Sequence, residues 1–215
     1  NSDCNVGGIV GFAKLKPMRI FYCTNHGNIS ASGTYKGIGG IAGEVGHNTG
    51  TVSCNDNAYV EYCANFGNIS GNYAESYVGG IVGFMQEGSV SKGNCCLYDC
   101  YNRGEILSDH TEDTGGILGQ ADHYNTVYRN INFGKVHYGN AIIGYRKNGN
   151  CILYVDDNYF LEGSGKDWKA TDSFSESEIG KSSTYKGFDF SSVWEIVDGY
   201  PYIRNNPFQR TSYNK

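Results

Sequence analysis

The chain has 215 residues and a mass of 23.5 kDa, with 17 Lys plus Arg against 22 Asp plus Glu and a formal net charge of -5. That length fits one domain with a small appendage, and mild acidity without a Lys/Arg run lacks the basic footprint that nucleic acids and anionic membrane surfaces require. No run reaches the roughly 18 apolar residues of a spanning helix, and the opening Asn1-Ser2-Asp3-Cys4 has no basic-then-apolar leader, so any export signal is expected to have been removed already.

Glycine and tyrosine dominate, with 31 Gly and 18 Tyr against 3 Pro and 2 Met. Helix interiors disfavour glycine, so the composition predicts turn-rich β structure. In chain order, one unit reads Gly7-Gly8-Ile9-Val10-Gly11 and returns at Gly39, Gly79 and Gly115, with a decayed copy at Asn140-Ala141-Ile142-Ile143-Gly144. The starts lie 32, 40, 36 and 25 residues apart. A second unit alternates with it: Cys23-Thr24-Asn25-His26-Gly27-Asn28-Ile29, then the copies that begin at Cys63, Cys100 and Asn130.

Two short β-type units per period of 25 to 40 residues predict a short, irregular, right-handed parallel β-solenoid of four or five coils over residues 1–155. Coils stack at one strand spacing, about 4.8 Å. Ile9, Ile41, Ile81 and Ile117 are expected to point inward. Gly8, Gly40, Gly80 and Gly116 are expected where a corner or close backbone approach excludes a Cβ. Asn25, Asn65, Asn102 and Asn132 suit a second corner, through tolerance of left-handed backbone or through a stacked amide ladder.

Beyond Val155 the repeats stop. Ser175 and Glu178 have capping-box spacing and predict a short helix near residues 176–183. Phe188, Phe190, Val193, Trp194, Ile196, Tyr200, Tyr202 and Ile203 supply apolar area for a cap, residues 156–204, over the open end of the solenoid. Residues 205–215 read as a polar tail.

The alternation of GGIVG and CxNxGNI resembles the GLUG repeat of large bacterial cell-surface proteins, including segments of IgA-cleaving surface peptidases. Tyr185 to Trp194, followed by Gly199-Tyr200-Pro201-Tyr202-Ile203, looks like the element that often closes such arrays. The resemblance implies a β-solenoid in an exported, surface-attached protein and no established catalytic residues.

Cys23, Cys63 and Cys100 share one repeat position and are expected to stack as an inward thiol column. Cys4, Cys54, Cys95, Cys96 and Cys151 are less regular and leave room for one or two disulfides. His26, His47, His110, His123 and His137 show no metal spacing, and Cys96 with Cys100 lacks the second pair that zinc needs. Gly37 to Ala42 formally fits GxGxxA but only as a repeat copy, and no GxSxG surrounds any serine. The sequons at Asn28 and Asn68 lie in the repeat anchor, which accounts for them.

Two groups are candidates for chemistry. Asp109, Glu112, Asp113 and Asp122 would suit calcium or, in a solenoid acting on polysaccharide, an acid/base pair. Tyr22, Tyr62, Tyr101 and Tyr128, from a larger set with Tyr35, Tyr59, Tyr73, Tyr77, Tyr98 and Tyr124, would suit sugar rings or a protein partner. The expected function is a non-catalytic extracellular module, an adhesin-like binding face or spacer of a larger surface protein, with no cofactor unless calcium and no nucleic-acid partner. The alternative is a carbohydrate-active solenoid enzyme.

Overall fold

The computed structural model describes residues 4–14, 17–32, 35–46, 57–71, 76–86, 94–109, 113–122, 125–146, 153–166 and 171–209. The fold is an all-β parallel solenoid of five coils. Coil 1 holds β1 (Cys4–Gly7), β2 (Val10–Ala13), β3 (Met18–Phe21), β4 (Thr24–Asn25) and β5 (Ile29–Ala31). Coil 2 repeats them as β6 (Tyr35–Gly39), β7 (Ala42–Val45), β8 (Ala58–Glu61), β9 (Ala64–Asn65) and β10 (Ile69–Gly71). Coil 3 follows with β11 (Tyr77–Gly79), β12 (Val82–Met85), β13 (Cys95–Tyr98), β14 (Tyr101–Asn102) and β15 (Ile106–Ser108). Coil 4 has β16 (Thr114–Gly115), β17 (Leu118–Ala121), β18 (Asn125–Tyr128), β19 (Ile131–Asn132) and a single bridge from Val136 to Ile106. Coil 5 opens with a bridge at Asn140 and continues as β20 (Ile143–Arg146), β21 (Leu153–Asp156) and β22 (Asn158–Leu161).

Equivalent strands stack into five parallel sheets. In order around the coil they are β1-β6-β11-β16, β2-β7-β12-β17-β20, β3-β8-β13-β18-β21, a fourth containing β4-β9-β14-β19-β22, and β5-β10-β15. Register steps equal the repeat steps, as in Val10↔Ala42, Ala42↔Val82, Val82↔Leu118 and Leu118↔Ile143. The variable coil length falls outside the strands, in the sequence between the second and third sheets and between the fifth and first.

The two repeat units lock into one another inside the coil. Asn25 Nδ2 donates to Asn65 Oδ1 at 2.8 Å, Asn65 to Asn102 at 2.8 Å, and Asn102 to Asn132 at 2.9 Å. Each amide also donates to the carbonyl two residues on, at Gly27, Gly67, Gly104 and Gly134. A Cβ on Gly80 would lie 2.6 Å from the Asn102 amide carbon and 2.0 Å from the Gly116 carbonyl oxygen, so the Asn row leaves room only for glycine opposite. Ile41, Ile81 and Ile117 are fully buried behind it, while Ile9 on the first coil is 46% exposed.

This geometry corrects one expectation about the second corner. The Asn row stands in fourth-sheet strands, and the left-handed corner falls three residues earlier, at Tyr22, Tyr62, Asp99, Arg129 and Asp157, with φ between 47° and 55°. None is glycine, so each carries a backbone cost of roughly 1–2 kcal/mol that the stacking must offset.

Apolar residues form three layers. The largest lies between the second and third sheets, with Ala42, Val82, Leu118, Val60, Leu97 and Val127. A smaller one between the fifth and first sheets holds Ile69, Ile106, Ile38 and Val78. Cys63 and Cys100 stand in the first layer, and Cys23 packs at its edge. Cys63 Sγ donates to the Glu61 carbonyl at 3.2 Å and Cys100 Sγ to the Tyr98 carbonyl at 3.1 Å, so these are free thiols in a column. Hydrogen bonding to Cys100 and burial raise the Cys63 pKa. Cys54 and Cys151 lie outside the described residues.

The third layer is external, and it changes the expected role of the C-terminal segment. β23 (Thr171–Phe174) pairs with β22 as a further rung, after which the chain runs back along the outer face of the fourth sheet. Tyr185 and Phe188 pack on Tyr159 of coil 5, and Phe174 on Phe133 of coil 4. Trp194 Nε1 donates to Asp99 Oδ1 of coil 3 at 2.9 Å, Asn206 Nδ2 to the Tyr62 carbonyl of coil 2, and Thr24 of coil 1 to Asn206 Oδ1. β24 (Trp194–Val197) and β25 (Tyr200–Ile203) form an antiparallel hairpin within this strap. Asn206 and Gln209 are buried, so the strap includes residues that read as tail. The expected helix is two 3-10 turns, Glu176–Glu178 and Ser182–Thr184. Glu178 accepts from the Ser175 N–H and hydroxyl at 2.9 and 2.7 Å, which lowers its pKa.

Candidate binding face

In the third sheet, strand alternation turns every second residue to the larger core and the others outward. Ile20, Val60, Leu97 and Val127 point in. Two outward rows result, in the registers Arg19↔Tyr59↔Cys96↔Thr126↔Tyr154 and Phe21↔Glu61↔Tyr98↔Tyr128↔Asp156. Each of the five coils therefore contributes one aromatic ring to this face: Phe21, Tyr59, Tyr98, Tyr128 and Tyr154. Phe21 and Tyr154 are 55% and 66% exposed, and the middle three are half-buried.

Local contacts fix these rings. The Arg19 guanidinium bonds Glu61 at 2.7 Å and sits 5.5 Å above Tyr59. Tyr98 and Tyr128 meet edge to face with centroids 6.3 Å apart. Tyr98 hydrogen-bonds Thr126 and Cys96, and burial raises its pKa. Arg129 stacks 4.4 Å from the Tyr128 ring and forms a two-pronged pair with buried Asp99 at 2.8 and 2.6 Å, which raises the Arg129 pKa.

Of the four tyrosines singled out in the sequence, only Tyr128 belongs to this face. Tyr22 and Tyr62 stack on one another, 5.0 Å apart, at the left-handed corner and pack against the strap's apolar layer. Tyr101 is fully buried on the fourth sheet and donates to Gln209 Oε1 at 2.8 Å, so the strap removes it from any surface site. Tyr73 and Tyr124, and the side chain of Tyr35, lie outside what is described. Phe21, Tyr59, Tyr98 and Tyr154 complete the aromatic set of this face instead, Phe21 and Tyr98 in the row of Tyr128 and Tyr59 and Tyr154 in the other. Their signal in the sequence is an aromatic two or four residues before the Cys or Asn anchor, in step with strand alternation.

The acidic group divides between corners. Asp109 and Asp113 flank the turn from the fifth to the first sheet, and Asp122 follows β17. Asp113 accepts from Gln120 Nε2 at 3.5 Å, and the Asp122 N–H bonds the Met85 carbonyl. Glu112, His47, His110 and His123 lie outside the described residues, and among those described no three His, Cys, Asp or Glu side chains group as metal ligands. The sequon residues are repeat elements: Asn28 Oδ1 and Asn68 Oδ1 each accept a backbone N–H of the next coil at 2.9 Å. A cavity of about 410 Å³ lies on the strap, lined by Glu195, Ile203, Arg204, Asn205, Asn206 and Pro207. Among the described residues no helix is long and apolar enough to cross a membrane. Comparison with protein-family models, with curated proteins and with solved structures finds no match.

Proposed function

We propose that the chain is a non-catalytic extracellular recognition module of a larger bacterial surface protein, displaying the outer face of the third sheet to a host glycan or extracellular protein. The observation that carries this reading is one outward aromatic from each of the five coils, Phe21, Tyr98 and Tyr128 in one row of the third sheet and Tyr59 and Tyr154 in the other, while the neighbouring fourth-sheet face is covered by the strap. Rigid rings that keep a polar hydroxyl supply contact area at low entropic cost. The five stacked coils fix their spacing before any ligand arrives, so little ordering is lost on binding.

The test is a binding screen of the whole chain against host glycans, plant polysaccharides and matrix proteins, with and without calcium. Saturable binding that Tyr59→Ala and Tyr154→Ala weaken, with circular dichroism unchanged, supports the recognition role. Silence across the screen leaves a structural spacer. Consumption of an immobilised polysaccharide replaces the proposal with an enzyme.

A further inference from the structure

The two ends of the solenoid are finished differently. At the last coil the chain runs on past β22 through Ser164, whose carbonyl takes the Val136 N–H, and Lys166, whose carbonyl takes the Ala141 N–H. Asn132 Nδ2, the end of the Asn ladder, donates to Ser164 Oγ at 3.4 Å, and Ile142 and Ile143 are fully buried. No described residue covers coil 1 in this way. Ile9 is exposed where Ile41, Ile81 and Ile117 are buried, and Phe12 is 42% exposed where its partners Glu44 and Phe84 on the next two coils are 3% and 2%.

Gly27 carries the sharper sign. On later coils the glycine two residues after the ladder Asn is forced: a Cβ on Gly67, Gly104 or Gly134 would lie 1.9–2.0 Å from the carbonyl oxygen of the equivalent glycine one coil earlier. A Cβ on Gly27 would meet only Asn25 Oδ1, at 3.6 Å, an ordinary contact, and its φ is not positive. Coil 1 therefore keeps a glycine that its own contacts do not require, at the place where the carbonyl of an earlier coil would stand.

The polar groups of this edge have the matching sense. Asn25 Nδ2 uses both hydrogens, on Gly27 O and Asn65 Oδ1, so the ladder presents Asn25 Oδ1, which accepts the Gly27 N–H at 3.1 Å and has a second lone pair. The N–H groups of Ala64 and Phe66 bond the Cys23 and Asn25 carbonyls of the coil before, whereas the equivalent Thr24 and His26 have no coil before them among the described residues. An open edge of this kind is a template for a further strand. A second copy set edge to edge opposes acceptor to acceptor at Asn25, and set head to tail it meets a ladder that Ser164 has ended. A coil brought by the same polypeptide arrives by the fifth-to-first-sheet connection that the other coils use, and loses no translational freedom.

We infer that the coil 1 edge is a stacking surface for one more coil of the same repeat, supplied by the polypeptide ahead of Asn1. Its Asn amide donates to Asn25 Oδ1 and its glycine carbonyl fills the space over Gly27. This holds whatever the third-sheet face binds.

The experiment compares Gly27→Ala with Gly67→Ala in the chain itself and in a chain lengthened by a copy of residues 35–71 ahead of Asn1, where residues 1–3 match in number the connection 32–34. Scanning calorimetry is expected to show the lengthened chain melting higher. Gly67→Ala lowers the Tm by about 5 °C or more in both. Gly27→Ala leaves the chain itself level with wild type or slightly above it, and in the lengthened chain it falls like Gly67→Ala or fails to fold. Ile9→Ser, tolerated in the chain itself, also becomes costly there. The coding sequence is expected to hold an Asn-x-Gly unit 30–40 residues before Asn25, the range of the other ladder steps.

Equal loss from Gly27→Ala and Gly67→Ala in the chain itself, or a lengthened chain that melts no higher and is indifferent to Gly27→Ala, overturns the assignment. So does a coding sequence without that unit, or a concentration-dependent dimer in ultracentrifugation that Ile9→Ser disperses.

Discussion

Removing one rung of the asparagine ladder tests the interlock between the two repeat units. Asn65 is fully buried and makes three hydrogen bonds of 2.8 Å: it donates to Gly67 O and Asn102 Oδ1 and accepts from Asn25 Nδ2. In Asn65→Ala the Asn25 amide keeps its bond to Gly27, and Asn102 Oδ1 keeps the Gly104 N–H, but the Gly67 carbonyl loses its side-chain donor. At about 1 kcal/mol net per bond the loss is ~3 kcal/mol. For a chain of this length that corresponds to a fall in Tm of about 6–12 °C. Asn65→Asp keeps the shape but cannot donate, and it places a carboxylate opposite Asn102 Oδ1 and Gly67 O, so it falls further at neutral pH. Scanning calorimetry of wild type and both variants measures this. A shift below about 2 °C for Asn65→Ala, or Asn65→Asp as stable as wild type, refutes the ladder as the coupling element.

Other consequences follow from the same contacts. Asp99→Ala leaves the Arg129 guanidinium without its buried partner and costs about 3–5 kcal/mol, while Trp194→Phe removes only one charge-assisted bond, about 1.5–3 kcal/mol; chemical denaturation of the singles and the double distinguishes a shared node from two independent contacts. Gly80→Val yields a chain that does not reach native stability, read by circular dichroism and melting, because the Gly116 carbonyl and the Asn102 amide occupy the space. Native Cys63 resists alkylation at pH 8 and reacts after unfolding. Since the folded pKa values of Cys63 and Tyr101 are raised, their contribution to stability is complete below the unfolded values, about 8.5 and 10, and is lost as pH rises past them. A melting series from pH 7 to 11 should therefore fall steadily above about pH 8.5.

The sequence determined the solenoid, because periodicity is a property of the chain itself. Residues recurring at one repeat position must stack once coils form, so Ile41, Ile81 and Ile117 entered the core and Cys23, Cys63 and Cys100 formed a column. The pairing of Gly80 with Asn102 joins two motifs that sequence shows only as alternating, and the coil's closure brings them together. The left-handed corner was not legible, since Tyr22, Tyr62, Asp99, Arg129 and Asp157 share no residue preference for positive φ. The course of the strap was equally hidden: the apolar residues from Tyr185 to Ile203 would serve over an end coil or along a flank, and only contacts such as Trp194 to Asp99 and Asn206 to Tyr62 select the flank. That choice decided the candidate site. By covering Tyr101 and leaving the third sheet open, packing between segments far apart in sequence separated buried tyrosines from exposed ones that look alike in the chain.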